Sequence, residues 1–291
     1  MEIPRKRQLN DILLGLFLLS HPGPVLFHII AVAVFALLAA WPHVGWGIFA
    51  LIVGAHAAMQ ISIAMLNDYC DRDMDARGKP GKPIPRGLIL PREALVAGLL
   101  MIALMLVLLL PLPPLALILS LAYLALGQGY NLGLKSTPLS GIVFALAMPL
   151  IPLYAFAGFG RGMPFLFWLA PVGFLLGVAL NLANSLPDVE EDAAGGARTL
   201  AVALGVTRSF LLCQLFLLLS AALIATLALT SVVPAQPPVL VATLILTALS
   251  IVAMQLFSGP ARAVKTRKNF FYLFVLTSIV LTGGWLIGAF V

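Results

Sequence analysis

Long apolar runs without charge repeat along the chain, separated by short segments rich in charged residues, proline and glycine. A helix that crosses a membrane needs about 20 mostly apolar residues, and nine runs approach that length. We therefore predict an all-α polytopic membrane protein with nine transmembrane helices around a central cavity, which loops cap on the cytoplasmic side. The predicted helices cover residues 25–40, 46–66, 94–110, 115–127, 140–159, 165–186, 209–230, 238–257 and 271–290.

Composition agrees with this prediction and narrows the class of protein. Of 291 residues, 62% are hydrophobic and only 10% are charged, whereas about a quarter of the residues in a soluble domain are charged. This excludes a water-soluble globule, a disordered chain and a secreted disulfide scaffold. The connections leave no room for a soluble domain, so we expect one integral-membrane domain over residues 1–291. Cys70 and Cys213 have no C-x-x-C partner, which implies neither a metal site nor a disulfide.

The basic residues mark one face of the membrane. Of 17 Lys and Arg residues, 16 fall before the first predicted span or in loops after even-numbered spans, and only Arg161 falls on the other side. Because Lys and Arg gather in cytoplasmic loops, we expect the N-terminus on the cytoplasmic face of the cell inner membrane and the C-terminus opposite. The net charge of +6 then reflects topology and attraction to anionic membrane lipids, and indicates no nucleic acid and no obligate protein partner.

The first residues, 5–19, have the charged and short apolar regions of a secretory signal. Residues 20–24 (SHPGP) offer no A-x-A-like cleavage site, and further spans follow at once. We expect an interfacial amphipathic segment that leads into the first span.

Eight of the 11 carboxylates fall into two groups, at the ends of the second and sixth spans. Each group contains the template Asn-x-x-x-Asp-x-x-x-Asp, and the two copies begin 117 residues apart. Positions i, i+4 and i+8 lie on one face of a helix, so each copy is expected to present an amide and two carboxylates along one stripe. The first copy is Asn67, Asp71 and Asp75, with Asp68 beside it, and the second is Asn184, Asp188 and Asp192.

This pattern predicts a cation. Like charges four residues apart on a helix repel each other, and oxygen ligands from Asp and Asn suit Mg²⁺, which takes one or two carboxylates together with phosphate oxygens. Two such clusters that face each other across a cavity could hold two or more Mg²⁺ ions and clamp a diphosphate. Solvated charges at loop ends are the simpler alternative, but they give no reason for the repeated spacing.

Basic, turn-rich segments follow both clusters, where cations could meet the outer oxygens of a diphosphate. Positive-inside topology alone could account for about half of these residues. The Tyr and Lys residues after the fourth span could add a donor pair on the same face. The expected diphosphate-binding residues are Arg77, Lys82, Arg86, Tyr130, Lys135 and Arg198.

Both motifs resemble those of the UbiA superfamily of intramembrane prenyltransferases, and the resemblance covers nearly the whole chain. The family's first motif, N-D-x-x-D-x-x-x-D with a P-x-R-P-I-P-S-G-like loop, is similar to residues 67–75 (NDYCDRDMD) and 80–87 (PGKPIPRG). Its second motif, D-x-x-x-D with G-x-K/R-T-L, is similar to residues 188–192 (DVEED) and 196–200 (GARTL). A Tyr-then-Lys element after the fourth span is similar to residues 130–135 (YNLGLK).

The resemblance implies Mg²⁺-dependent transfer of a prenyl group from a polyprenyl diphosphate to a lipophilic acceptor. Metal ions would stabilise the diphosphate as a leaving group, and the apolar helices would keep water from the allylic cation. The implied catalytic residues are Asp71, Asp75, Asp188 and Asp192. The implied metal ligands are Asn67, Asp68, Asp71, Asp75, Asn184, Asp188 and Asp192.

Three positions depart from the family pattern. Lys82 stands where many members have Arg, Arg86 where many have Ser, and His21-Pro22 where several have Arg-Pro. Basic contacts to the diphosphate are therefore expected to be redistributed. The CDP-alcohol phosphotransferases, another class of membrane lipid enzymes, need D-G-x-x-A-R between their acids, and the sequence contains no such string.

The acceptor is less well specified. His56 and Gln60 precede Asn67 by 11 and seven residues and share its helical stripe, and Asn181 lies three residues before Asn184. Buried polar residues in a span are functional by default, so we expect these three to bind the acceptor, with helix-to-helix hydrogen bonding as the alternative. We expect an aromatic, quinone-precursor ring as acceptor, with a glycerol-phosphate lipid or a tetrapyrrole as alternatives.

Two other classes of function are weighed against the enzyme. A membrane cation transporter could also use paired acids, but transporters place their ion sites near the bilayer midplane, whereas these clusters lie at predicted helix ends. A purely structural membrane subunit has no need of paired Asp triplets.

Overall fold

The computed structural model describes residues 7–162, 164–258 and 264–290, and within these it forms eleven α-helices and no strand. Three of the 17 Lys and Arg residues counted above lie outside this part of the chain, namely Arg5, Lys6 and Arg262. Two 3₁₀ helices, Leu134–Ser136 and Leu186–Asp188, complete the secondary structure. The α-helices are α1 Leu9–Leu19, α2 Pro22–Ala40, α3 Trp46–Gly78, α4 Pro91–Leu109, α5 Pro114–Asn131, α6 Ser140–Gly158, α7 Pro164–Ser185, α8 Val189–Ala194, α9 Leu200–Leu229, α10 Pro237–Phe257 and α11 Val264–Phe290.

Eight helices in the described ranges are long and apolar enough to cross a membrane, by length and composition. The all-α prediction is confirmed, and the count of nine spans is approximate. The fourth predicted span falls in α5, which has 18 residues and ends in the polar sequence Gln128-Gly129-Tyr130-Asn131. Helix α1 has 11 residues, too few to cross a bilayer.

Prolines and caps set the helix boundaries. Five helices (α2, α4, α5, α7 and α10) begin with proline, at a position where the missing N–H is not needed. The Glu93 carboxylate accepts from the backbone N–H of Leu90 at 2.7 Å at the start of α4. The same carboxylate accepts from Arg7 Nη1 and Nη2 at 2.7 and 3.1 Å, and this hydrogen bonding raises the pKa of Arg7. This ion pair connects the residues before α1 to α4.

The first of two compact units comprises Met1–Leu132 and Leu150–Gly162. Its longest helix, α3, packs against α1, α2, α4 and α5. Glycines allow two of these contacts to be close: a Cβ at Gly98 of α4 would stand 2.7 Å from Leu66 Cγ, and one at Gly127 of α5 would meet Ile63. Because α3 is enclosed in this way, the end that carries the first acidic motif is held by its neighbours.

The second unit comprises Gly133–Pro149 and Met163–Val291. Helix α7 packs against α9 and α11, and α10 packs against α11. Helix α9 is interrupted at Gly205, whose φ of +76° lies in the left-handed region that glycine adopts without a steric penalty. The Phe210 and Phe270 rings, 4.7 Å apart between centroids, pack α9 on α11.

Candidate active site

The first acidic motif lies on a continuous helix. Helix α3 runs from Trp46 to Gly78, so Asn67, Asp71 and Asp75 are all helical and share one face, as the spacing predicts. Asp73, between these positions, has a side chain that is 80% exposed, whereas the Asp75 side chain is 8% exposed. The sequence therefore presents part of this motif inward and part of it to solvent.

Lys82 lies between two carboxylates of the motif. Its Nζ donates to Asp68 Oδ1 and to Asp75 Oδ2, both at 2.8 Å. Burial disfavours the ammonium, but the hydrogen bonds and charges of the two carboxylates outweigh it and raise the pKa of Lys82. The residue predicted to bind diphosphate thus neutralises two of the predicted metal ligands here.

His21 also contacts Asp68, which sequence reasoning did not foresee. Its Nε2 lies 3.2 Å from Asp68 Oδ1, and since a carboxylate only accepts, the imidazole donates. His21 follows α1 and precedes the first proline of α2. The departure at His21-Pro22 was visible in the sequence, but its partner, 47 residues away, was not.

Asn131, at the end of α5, orients the amide of Asn67. Asn67 Nδ2 donates to Asn131 Oδ1 at 2.9 Å, and Asn131 Nδ2 donates to the Ile63 carbonyl at 2.9 Å. Asn131 is buried. With its NH₂ engaged in this bond, Asn67 presents its carbonyl oxygen as the atom for a cation. Sequence reasoning selected Tyr130 and Lys135 on either side and missed Asn131, although a buried amide at a span end is itself a signal.

The basic loop after α3 is folded on itself by backbone hydrogen bonds. Arg86 N donates to Lys82 O at 3.0 Å, and Leu88 N donates to Pro83 O at 3.0 Å. Gly87 has a φ of +72°, which suits glycine at this turn. Arg77 and Arg86 are exposed, and Arg77 Nε donates to the backbone carbonyl of Asp73 at 3.2 Å. Among the predicted diphosphate ligands of this segment, Lys82 is the one that pairs with carboxylates of the cluster.

The second acidic motif departs from the prediction. Helix α7 ends at Ser185, a 3₁₀ helix covers Leu186–Asp188, and α8 begins at Val189. Asn184, Asp188 and Asp192 therefore lie on three successive helical elements and not, as predicted, on one regular α-helix. Pro187 supplies the reason, because its ring lacks an N–H and clashes with the carbonyl four residues earlier.

Other contacts hold this second segment. Arg267 Nη1 donates to both oxygens of Glu190, at 2.8 and 2.6 Å. The backbone N–H of Arg198 donates to Ser136 O at 2.9 Å, which ties the loop after α8 to the 3₁₀ helix that carries Lys135. Asn184 and the Arg198 side chain are exposed, and Asp188 and Asp192 are half-buried.

Asn181 is enclosed within the second unit. It is fully buried, and its Oδ1 accepts from Ser140 Oγ at 3.1 Å. Asn181, which was predicted to bind the prenyl acceptor, thus makes a helix-to-helix hydrogen bond through Oδ1. Its Nδ2 remains without a hydrogen-bond partner among the described residues.

His56 and Gln60 belong to a buried polar and aromatic group in the first unit. Their Nε2 atoms are 3.3 Å apart, and the His56 ring lies 5.5 to 6.1 Å, between centroids, from those of His28, Tyr123 and Tyr154. His28 of α2 is therefore part of this group. Eleven residues of helix place His56 about 16 Å along α3 from Asn67.

The first cluster suits Mg²⁺ by the chemistry of its donors. Among the residues that the structure describes, no three His, Cys, Asp or Glu side chains converge on one point. The first cluster nevertheless provides an oriented amide oxygen at Asn67 and two carboxylates on the same face, which are the hard oxygen donors that Mg²⁺ prefers. Water and phosphate oxygens normally complete its coordination.

Comparison with known proteins identifies the family. The family model described as the UbiA prenyltransferase family matches residues 27–277. The chain belongs to the UbiA prenyltransferase family. As a member of this family with eight helices long and apolar enough to span a bilayer among its described residues, it is an integral multi-pass membrane protein.

Curated relatives within the UbiA family fall into two groups. The digeranylgeranylglyceryl phosphate synthase of Natronomonas pharaonis is 35% identical over 147 residues, 50% of this chain and 52% of that protein. The 4-hydroxybenzoate octaprenyltransferase of Aeromonas hydrophila is 28% identical over 163 residues, 55% of this chain and 56% of that protein. The chain thus matches about half the length of these relatives.

Solved structures share the fold over almost the whole chain. A UbiA homologue from Archaeoglobus fulgidus bound to GPP and Mg²⁺ superposes with a TM-score of 0.73 at 18% identity, covering 94% of this chain and 99% of that one. A UbiA homologue from Aeropyrum pernix in the apo state gives a TM-score of 0.70 at 19% identity, covering 90% and 97%. At this identity the likeness establishes the fold.

Proposed function

We propose that this protein transfers a prenyl group from a polyprenyl diphosphate to a lipophilic acceptor and that it depends on Mg²⁺. The observation that carries the proposal is the inward face of α3, where an oriented Asn67 amide and the carboxylates of Asp71 and Asp75 lie on one stripe. Family membership over residues 27–277 supports the same reaction, as does the bound GPP and Mg²⁺ of the Archaeoglobus fulgidus homologue.

Each part of the proposed machinery has a separate task. Mg²⁺, when bound, neutralises the diphosphate and makes it a better leaving group. We assign it to Asn67, Asp71 and Asp75 in the first cluster and to Asn184, Asp188 and Asp192 in the second. Charge-assisted hydrogen bonds to the outer diphosphate oxygens are assigned to Arg77, Lys82, Arg86, Tyr130, Lys135 and Arg198.

An aromatic ring is the first proposed acceptor, supported by the G-A-R-T-L-A-V sequence at residues 196–202 and by the hydroxybenzoate relative. A glycerol-phosphate lipid is the second candidate, and the relatives at up to 35% identity favour it. We propose His56, Gln60 and Asn181 as acceptor contacts. Asn181 Nδ2 supports this assignment, because it has no hydrogen-bond partner among the described residues. A buried donor without a partner is costly, so a polar ligand that accepts from it would be stabilised.

Substitution of the acids tests the proposal. Asp71→Ala and Asp188→Ala, assayed in membranes supplied with geranylgeranyl diphosphate, Mg²⁺ and an acceptor panel, are each expected to lower product formation at least a hundredfold, because each removes a proposed metal ligand. Product is measured by mass spectrometry of extracted lipids. The panel contains 4-hydroxybenzoate, a dihydroxynaphthoate, geranylgeranylglyceryl phosphate and a chlorophyllide, so that the same assay identifies the acceptor.

Two acids in the same motifs provide matched controls. The Asp73 side chain is 80% exposed and Glu191 is exposed, so Asp73→Ala and Glu191→Ala are expected to retain activity within about threefold, as surface substitutions usually do. Full activity in Asp71→Ala or Asp188→Ala would contradict the metal assignment. Mn²⁺ flux through proteoliposomes without any prenyl donor would instead favour a cation transporter.

A further inference from the structure

One oxygen of Asp68 joins two segments that are far apart in sequence. Asp68 Oδ1 accepts from His21 Nε2 at 3.2 Å and from Lys82 Nζ at 2.8 Å. His21 lies at the junction of α1 and α2, and Lys82 lies in the loop after α3. The Asp68 side chain itself is only 2% exposed.

We propose that Asp68 is a positioning residue and not a metal ligand. It fixes the α1–α2 junction and the loop at residues 79–90 against the end of α3 that carries the first acidic motif. The effect of Asp68 on diphosphate binding rests on the proposed function. Its anchoring of the two segments does not, because these contacts form in the protein without metal.

The hydrogen bonds at Asp68 distinguish it from Asp75. Its Oδ1 already receives two donors, the His21 imidazole and the Lys82 ammonium. A Mg²⁺ ion bound at Oδ1 of Asp68 would have to displace the Lys82 ammonium, which is unfavourable because a charge left without its partner in a buried setting is costly. Asp75 receives only one of these two donors, Lys82 at Oδ2, and it shares the stripe of Asn67 and Asp71 on α3, whereas Asp68 lies beside that stripe.

The contact with His21 stabilises an unusual backbone. His21 has φ +47° and ψ +61°, a left-handed conformation that few residues other than glycine adopt. It also precedes Pro22, a position at which extended backbone is preferred. A conformation of this kind persists only where surrounding contacts impose it, and the hydrogen bond to Asp68 is such a contact.

Anchoring of Lys82 extends to the rest of the loop. The Arg86 N–H donates to the Lys82 carbonyl, and the Gly87 N–H donates to that of Ile84 at 2.9 Å. The turn that carries Arg86 is therefore built directly on Lys82. Loss of Asp68 should therefore loosen both the Lys82 side chain and the turn that carries Arg86.

Hydrogen–deuterium exchange on the purified, metal-free protein tests the anchoring directly. In Asp68→Asn, exchange within residues 20–24 and 79–90 is expected to rise about tenfold, because a charged acceptor is lost. Lys82→Gln should loosen residues 79–90 while leaving residues 20–24 unchanged, and it serves as a second variant if Asp68→Asn folds poorly. Asp73→Asn, at an exposed carboxylate, is the matched control and should change neither segment.

Metal affinity and kinetics separate positioning from ligation. Asp68→Asn is expected to keep its Mn²⁺ affinity within about threefold of the parent, whereas Asp71→Asn should lose about 10- to 100-fold or more. With geranylgeranyl diphosphate, Asp68→Asn should raise KM about tenfold with little change in kcat, as expected where binding contacts are lost. Asp68→Glu, which keeps the charge, should partly restore KM.

Distinct outcomes overturn the two proposals. If Asp68→Asn weakens Mn²⁺ binding as strongly as Asp71→Asn, Asp68 is a metal ligand and the positioning role is wrong. Unchanged exchange in residues 20–24 and 79–90 also overturns it. If instead exchange rises as expected while the parent protein neither binds Mn²⁺ nor transfers a prenyl group, the proposed function fails and the positioning role stands.

Discussion

At the scale of single residues, the first cluster depends on side chains that orient its ligands. Asn131 Oδ1 accepts a hydrogen bond from Asn67 Nδ2. Asn131 Nδ2 in turn donates to the Ile63 carbonyl at 2.9 Å and to Gln128 Oε1 at 3.2 Å, which fixes the Asn131 side chain. An amide can present either its oxygen or its nitrogen, and only the oxygen binds a cation. Asn131 selects the oxygen of Asn67, in the manner of residues that orient metal ligands from behind.

Replacement of Asn131 tests this orientation. In Asn131→Ala, Mn²⁺ affinity measured by isothermal titration on purified protein is expected to fall about 10- to 100-fold, because the Asn67 amide loses the partner that fixes it. Gln214→Ala is the matched control, since it removes another buried amide, one that accepts from Gln255 Nε2 at 2.7 Å. That control should leave Mn²⁺ affinity unchanged, and equal affinity in Asn131→Ala and the parent would contradict the assignment.

At the scale of elements, two copies of one sequence template adopt different structures. The first continues α3 to Gly78, and the second is divided among α7, a 3₁₀ helix and α8. A helix of six residues such as α8 is not stable by itself, so its position depends on tertiary contacts. Arg267 supplies one of them, donating to Glu190 and, at 3.4 Å, to the Leu186 carbonyl.

The two partners of this ion pair are expected to respond unequally to substitution. The Arg267 side chain is 13% exposed and the Glu190 side chain is 61% exposed. Glu190→Gln leaves a mostly buried guanidinium without its counter-charge and should destabilise the segment by about 1–3 kcal/mol. Arg267→Met leaves a carboxylate that water can solvate, at a cost of about 0–1 kcal/mol. Hydrogen–deuterium exchange of residues 186–194 measures both, and a larger effect for Arg267→Met would contradict this account.

Sequence periodicity predicted the helices well, because a run of apolar residues has few alternatives in a bilayer. It also predicted the stripe of Asn67, Asp71 and Asp75, which depends only on local geometry. It did not predict the change to a 3₁₀ helix at Leu186–Asp188, where Pro187 lies directly after the predicted span at residues 165–186. The contacts of Asp68 with His21 and Lys82 could not be predicted from the sequence. They join segments that tertiary packing brings together, and such packing produces no local sequence pattern.

At the scale of the whole molecule, the few charged residues combine a topology signal with the proposed reaction site. The loop between α2 and α3 carries no Lys or Arg, whereas residues 72–92 carry six. From the positive-inside rule we expect the second of these segments on the cytoplasmic side. The charged diphosphate head group of the substrate would then meet the acidic motifs at the cytoplasmic side, while the apolar helices keep water from its prenyl chain.

Accessibility of introduced cysteines tests this orientation. The native Cys70 is half-buried and Cys213 is buried, and both are first replaced by alanine to remove background labelling. His43→Cys and Lys79→Cys then each place one thiol at an exposed loop position. A membrane-impermeant maleimide applied to spheroplasts is expected to label the cysteine at position 43 and not the one at position 79, and inverted vesicles should reverse the pattern. Because spheroplasts expose only the outer face of the inner membrane, labelling at position 79 there would place the acidic motifs opposite the cytoplasm and contradict the positive-inside assignment.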